Sequence, residues 1–253
     1  MYNEKSIAVV SFGTTYLNTA QKTIHAVEKD IAESFKDYNV VSAYTSGMVI
    51  SRLSKMGVKV STLDECFENL SNCGTRDLIV LPTHVISGEE YFKVVECSKR
   101  FSSKFNSINV CRPLIQVQDI ENIVDNILKT FKVSTNEFLV FMGHGSSTEA
   151  NQIYDLINLE LSNRGVKNIY ISTVEAKPEL SNALIKVKEY NPKKVILTPF
   201  MLVSGDHANN DMAIEWKSAF ENLGFTTECI LKGLGEYPNF RKIYVDRVRE
   251  KLC

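Results

Sequence analysis

Four histidines occur in the chain, at positions 25, 84, 144 and 207, and two of them stand where chemistry is easiest to build. His144 lies in Gly143-His144-Gly145 and His207 ends Ser204-Gly205-Asp206-His207, each close behind an apolar run that reads as a strand. Their glycine neighbours permit tight turns and leave room for something bulky to approach the backbone. Glu175 follows a third such run, 169–173, and is expected on the same rim. Two imidazoles and one carboxylate facing an open hollow hold a divalent transition ion while leaving coordination positions free for exchange. A neutral imidazole also accepts protons near neutral pH, which carboxylates do less well. Each residue has a plainer reading: a loop histidine is often a hydrogen-bonded structural group, and Glu175 could equally be a solvated acid ahead of Pro178.

The other candidates are weaker. His25 falls inside a helical pattern, as a structural or solvated residue. His84 lies near another strand end, but its repeat counterpart is Met201, which argues against a symmetric site. Glu89 and Glu90 read either as an acidic wall or as the negative first turn of the next helix. Met212, Trp216, Phe220 and Leu223 form a helical stripe expected in the core.

The elements that must position these residues alternate between short β-branched runs and amphipathic patterns, the mark of an α/β protein with a largely parallel sheet. Strands are expected at 7–10, 40–44, 78–81, 108–111, 138–142, 169–173, 195–198 and 226–231. Between them Ile24, Val27, Ile31 and Phe35, then Leu63, Phe67 and Leu70, then Ile120, Ile123, Val124, Ile127 and Phe131 recur at helical spacing. Thr62 with Glu65 and Ser146 with Glu149 match the capping box, and Pro178 and Pro238 suit a first helical turn.

An internal repeat constrains the architecture further. Leu81-Pro82 followed by Ser87-Gly88-Glu89-Glu90 recurs as Thr198-Pro199 followed by Ser204-Gly205-Asp206-His207, with the same spacing from proline to serine. The stretch 7–14 aligns with 138–145, and 39–42 with 168–171. Two similar α/β lobes are therefore expected, 1–130 and 131–253, the second carrying the histidines. Open α/β sheets bind ligands at the carboxyl ends of their strands. That places 11–15, 45–48 and 83–91 on one wall of a cleft between the lobes, and 143–147, Glu175 and 201–210 on the other.

Bulk composition narrows the function classes. Lys and Arg number 29 against 30 Asp and Glu, a formal net charge of -1 with no block of like charge, so neither nucleic acid nor an anionic membrane is an expected partner. The longest apolar runs, 7–12 and 195–203, fall short of the ~20 residues of a membrane helix. Lys5 and the run behind it could open a signal peptide, but Glu4 precedes them and Thr14, Thr15 and Asn18 interrupt, so a first strand is the better reading. The six cysteines, at 66, 73, 97, 111, 229 and 253, make no Cys-x-x-Cys pair and read as reduced thiols of a cytoplasmic protein. Gly-x-Gly-x-x-Gly after the first strand, a Walker-type loop and a Gly-x-Ser-x-Gly elbow are all missing. Gly143-His144-Gly145 is similar to the phosphohistidine loop of histidine phosphatases, but Met142 and Gly143 stand where an arginine would be needed.

Longer strings carry a resemblance. Val10-Ser11-Phe12-Gly13-Thr14, Ala43-Tyr44-Thr45-Ser46-Gly47-Met48, Phe141-Met142-Gly143-His144-Gly145 and Leu202-Val203-Ser204-Gly205-Asp206-His207-Ala208-Asn209-Asn210-Asp211-Met212 closely resemble the anaerobic sirohydrochlorin cobaltochelatase family, the single-subunit CbiK type. The likeness runs nearly end to end and includes Gly233-Leu234-Gly235-Glu236. It implies a class II chelatase fold of two lobes, each a four-stranded parallel sheet flanked by helices, with the macrocycle between them. It also implies His144, Glu175 and His207 as metal ligands, His144 and His207 as catalytic residues, and His144 as the base for pyrrole protons. Ser11, Phe12, Gly13, Thr14, Ser46 and Glu90 are the implied tetrapyrrole-binding residues.

The implied reaction inserts Co2+ as substrate metal into sirohydrochlorin or precorrin-2, releasing two protons, in anaerobic cobalamin biosynthesis and without a nucleotide. Alternatives within the same resemblance are an iron or nickel chelatase, since this ligand set discriminates weakly among those ions, or a non-catalytic tetrapyrrole or metal carrier. Arg52 is a candidate for the substrate carboxylates, and a homo-oligomer is left open. Several relatives carry a further histidine just after the Gly-His-Gly turn; here Ser146-Ser147-Thr148-Glu149 stands in its place, which puts any auxiliary metal or haem site there in doubt.

Overall fold

The structure is a computed structural model and describes residues 4–252. In chain order the elements are β1 (Lys5–Ser11), α1 (Leu17–Lys22), α2 (Ile24–Ser34), β2 (Asn39–Tyr44), α3 (Gly47–Lys55), α4 (Leu63–Asn72), β3 (Asp77–Pro82), α5 (Glu89–Arg100), β4 (Ser107–Val110), α6 (Ile120–Thr130), β5 (Glu137–Gly143), α7 (Gln152–Asn163), β6 (Ile169–Thr173), α8 (Leu180–Tyr190), β7 (Lys194–Pro199), a π-helical segment Ala208–Trp216, α9 (Lys217–Glu221), β8 (Thr226–Cys229) and α10 (Pro238–Arg249). All eight expected strands form. They make two four-stranded parallel sheets of the same order, β2-β1-β3-β4 and β6-β5-β7-β8.

The repeat seen in the residues is thus a repeat of topology. The central strands β1 and β5 are buried along nearly their whole length, because helices cover both faces of a parallel sheet. This is why they read as continuous apolar runs. Register then brings the strand ends level: Ser11 faces Tyr44 and Val10 faces Pro82 in one sheet, while Gly143 faces Thr173 and Met142 faces Pro199 in the other.

The chain divides into two compact units, but not at 130/131. One takes the described residues up to Leu114 and again from Pro238 onward; the other is Ile115–Tyr237. Helix α6 joins the second unit, its apolar face of Ile120, Ile123, Val124 and Ile127 buried and Arg164 of the α7 C-cap bonded to Asp125 at 2.5 Å. Helix α10 belongs to the first. Its Tyr244 hydroxyl donates to the Thr83 carbonyl at 2.8 Å. Its Arg247, almost wholly buried, donates to the carbonyls of Pro113 at 3.2 Å and Leu114 at 2.9 Å, and Arg241 pairs with Asp30 of α2 at 2.7 Å.

Two local starts also differ from expectation. The Thr62–Glu65 capping box forms as read, and α10 does begin at Pro238. At Ser146 the cap shifts instead: Thr148 caps a short 3-10 turn, the Asn151 side chain ties down the Ser146 backbone, and α7 starts only at Gln152. Pro178, preceded by a cis peptide, lies before α8, which Glu179 opens by reciprocal bonds with Asn182. The stripe Met212, Trp216 and Phe220 is buried, whereas Leu223 is 37% exposed. Leu223 lies beyond the end of α9, where helical spacing no longer sets the face of a side chain.

Among the described residues no helix is long and apolar enough to cross a membrane. The five cysteines among them are free, and Cys253 lies outside. Burial pushes the thiols of Cys66 and Cys111 up to about 12, so they are inert packing groups.

Candidate metal centre

The centre is built where β5, β6 and β7 end. Gly143 closes β5 beneath the buried ring of Tyr154, and a Cβ there would lie 2.8 Å from that ring. Gly145, at φ +92, turns the chain against the loop behind β6; a Cβ on it would meet Ala176 at 3.0 Å. That loop is held to the histidine turn by backbone bonds, Val174 N–H to the Gly143 carbonyl and Glu175 N–H to the His144 carbonyl, both 3.0 Å. Thr173 secures its far side, its hydroxyl donating to Ala176 at 2.6 Å and its N–H to Pro178 at 2.7 Å. Glu175 therefore stands beside His144, carboxylate oxygen to Nδ1 at 3.6 Å.

His207 arrives from β7 through a segment fixed at several points. Phe200 N–H donates to the Met142 carbonyl at 2.7 Å, while Leu234 and Gly235 donate to the carbonyls of Met201 and Leu202 at 2.8 and 3.0 Å. The His144 and His207 rings lie 4.7 Å apart between centroids, nearly perpendicular at 85°. One ligand atom each from His144, Glu175 and His207 can be chosen so that all lie within 4.8 Å of one another.

The hydrogen bonds also decide which nitrogens carry lone pairs. His144 Nδ1 is 3.0 Å from the Gly145 carbonyl and His207 Nδ1 is 2.5 Å from an Asp211 carboxylate oxygen. Carbonyl and carboxylate oxygens only accept, so in each ring Nδ1 donates and Nε2 keeps the lone pair. The side chains of His144, Glu175 and His207 are 42%, 54% and 35% exposed. Such a set stays open to incoming ligands, unlike a sealed structural site.

The expected tetrapyrrole-binding residues fall in the first unit. Its loops after β1 and β2 are joined by Thr45 N–H to the Ser11 carbonyl at 2.9 Å and Ser46 N–H to the Phe12 carbonyl at 3.2 Å. Ser11, Thr14 and Ser46 are buried and engaged: the Ser11 hydroxyl accepts from Thr83 at 2.8 Å, Thr14 from the Tyr16 N–H at 3.2 Å, and Ser46 from the Val49 N–H at 3.4 Å. Gly13 has φ +97, with the Tyr44 ring 2.4 Å from where a Cβ would be. Phe12, 44% exposed, and Met48, 65% exposed, remain uncovered. Arg52 is exposed on α3. His25 pairs at the surface with Glu28 at 2.8 Å.

Glu90 opens α5 with one carboxylate oxygen on Lys93 at 2.5 Å and the other shielded from solvent without a partner. Both ring nitrogens of His84 are likewise shielded and unpartnered. Burial pulls the His84 imidazole down to about 4, against an opposing push from Glu90 and a smaller pull from Lys93. The folded chain thus keeps this ring neutral where the unfolded chain protonates it. Its contribution is complete above about pH 6.5 and is lost as pH falls towards 4, by up to roughly 3 kcal/mol. Denaturant unfolding at pH 7 and pH 5 should show this loss, and His84→Phe should flatten the difference.

In the sequence Asp211 stands only as part of the 202–212 string, and Tyr154 and Ala176 carry no functional mark. The i, i+4 spacing of His207 and Asp211 was the available signal for the first; nothing local marks the other two.

A cobalt chelatase (CbiK) family model matches residues 5–252. A sirohydrochlorin cobaltochelatase of Salmonella typhimurium is 32% identical over 262 residues, spanning 98% of this chain and 97% of that protein. Sirohydrochlorin cobaltochelatase CbiKC of Nitratidesulfovibrio vulgaris is 27% identical over 255 residues, spanning 97% and 89%. In fold the chain is similar to the sirohydrochlorin chelatase SirB from Bacillus subtilis subspecies spizizenii in complex with cobalt, with TM-score 0.64, 15% identity and coverage of 97% and 94%. The match in sequence over almost the whole described chain, on two sheets of the chelatase kind, means that this chain belongs to the CbiK cobalt chelatase family.

Proposed function

We propose that the chain is a sirohydrochlorin cobaltochelatase: it binds Co2+ through His144, His207 and Glu175 and passes it to sirohydrochlorin with release of two protons. The observation that carries this reading is the gathering of those three side chains, one ligand atom each within 4.8 Å, in a partly exposed position. Insertion requires the ion to shed ligands one at a time while pyrrole nitrogens take their place. Three protein donors leave coordination positions for a ring nitrogen to enter before any imidazole departs. As each imidazole releases the metal, its Nε2 lone pair becomes free to take a proton, so two imidazoles match the two protons the macrocycle must lose. Exchange of Co2+ for two protons keeps the local charge nearly constant, and no nucleotide is called for.

The first-unit residues divide by role. Ser11, Gly13, Thr14 and Ser46 shape their loops, being buried or sterically confined. Phe12 offers the exposed apolar surface that a flat macrocycle covers, and the exposed Arg52 supplies a cation for its carboxylates, while Glu90 is held at the start of α5 by Lys93. Thiols held inert by burial suit a reducing, cytoplasmic setting.

Sirohydrochlorin and protoporphyrin, each offered cobalt, iron and nickel, provide the test. Multiple turnovers with sirohydrochlorin and cobalt, favoured over the other five combinations, are expected; stoichiometric uptake without turnover would make the chain a carrier. Glu175→Gln should weaken cobalt binding by about tenfold, ~1.4 kcal/mol, while leaving tetrapyrrole affinity nearly unchanged. Equal loss of both in separate titrations would reassign Glu175 as a structural acid.

A further inference from the structure

We infer that Asp211 is a positioning residue of the metal centre: its carboxylate takes the Nδ1–H of His207 and so fixes the ring with Nε2 as the lone pair offered to the cation. The inference rests on the proposed role of His207. Its basis is the 2.5 Å contact between Nδ1 and the carboxylate, made within one turn of the same segment and half-shielded from water. A free imidazole rotates and exchanges its proton between two nitrogens; an acceptor-only partner on Nδ1 removes both freedoms.

The backbone around Asp211 is suited to this task. His207 immediately precedes the π-helical segment, and Ala208 and Met212 within it are fully buried, so the stretch carrying Asp211 is anchored on both sides. Asn209 fastens it from behind, its backbone N–H and side-chain amide both donating to the Gly205 carbonyl, at 3.1 and 2.8 Å. π-Helical turns are rare and occur frequently at functional sites. His144 differs: its Nδ1 donates to the neutral carbonyl of Gly145 at 3.0 Å, and the Glu175 carboxylate oxygen stands beyond hydrogen-bond reach at 3.6 Å. A carboxylate partner strengthens the bond that an imidazole makes to a metal. The two ligands are therefore unequal, with His207 the more firmly oriented one.

The test compares wild type with Asp211→Ala and the near-isosteric Asp211→Asn. The His207 ring is read by nitrogen NMR in metal-free protein, and Co2+ affinity by titration with the metal alone. In wild type the proton should sit on Nδ1. In Asp211→Ala it should distribute over both nitrogens, with cobalt bound about 10–100-fold more weakly; Asp211→Asn, which keeps an acceptor oxygen, should recover much of both. An unchanged His207 tautomer in a folded Asp211→Ala overturns the inference, as does unchanged cobalt affinity. Should Asp211→Ala not fold, a His207 proton shared over both nitrogens in wild type, or an Asp211→Asn variant that loses the Nδ1 proton, overturns it equally. The tautomer is read without metal or macrocycle, so a chain that fails to insert cobalt would defeat the proposed function and leave this result standing.

Discussion

His144→Ala and His207→Ala should each reduce cobalt insertion by at least 10²–10³-fold, measured as the absorbance change of sirohydrochlorin on metallation. Each change removes one of three ligand atoms gathered within 4.8 Å and one of two lone pairs able to receive a departing proton. Proton acceptance alone is typically worth about 10²–10⁴-fold. Stability should hardly respond: both rings are partly exposed and pack against each other rather than into the core, and such surface changes usually fall within about 0.5 kcal/mol. Near-normal turnover by either purified, folded variant would contradict the assignment.

Gly233→Ala should damage stability and activity together, for a reason remote from the chemistry. A Cβ at Gly233 would lie 2.3 Å from the carbonyl oxygen of Leu202 and 2.8 Å from its carbonyl carbon. These are backbone atoms, so no side chain can swing aside. The strands of chain must part, weakening the Leu234 and Gly235 hydrogen bonds to Met201 and Leu202 that hold the approach to His207. Overpacking of this kind destabilises by roughly 1–3 kcal/mol. A displacement near 1 Å at the histidine would cost on the order of 10²-fold in rate. Gly47→Ala is the control: nothing lies within 4 Å of its Cβ position, at the start of α3. Chemical denaturation should separate the two, with Gly233→Ala losing stability and Gly47→Ala losing none. Equal stability of both would show that the Gly233 contact is relaxed at little cost.

The strands and the gathering of His144, Glu175 and His207 were legible in the residues because one physical cause produced both signals. Parallel strands buried on two faces appear as unbroken apolar runs, and their ends, where His144, Glu175 and His207 sit, are where a parallel sheet presents its loops. The repeat showed that this arrangement occurs twice. What stayed hidden depends on contacts between segments distant in sequence. The apolar stripe of α10 announces a buried helix but not that its partners are α2 and β3, so the boundary between units could not be placed. Leu223 was expected in the core because the helical spacing was carried past Glu221, where α9 ends. The Ser146 cap gave way to Thr148 because Asn151 supplies a competing set of bonds one turn on. Ser11, Thr14 and Ser46 carry hydroxyls that look free in a string of residues and are occupied in the fold.

X-ray absorption of the chain loaded with one equivalent of Co2+ tests the centre most directly. Two imidazole nitrogens and a carboxylate oxygen around a single cobalt, with one imidazole lost in His144→Ala and one in His207→Ala, are the predicted result. A cobalt shell without imidazole, or one unaltered by either substitution, would contradict the account.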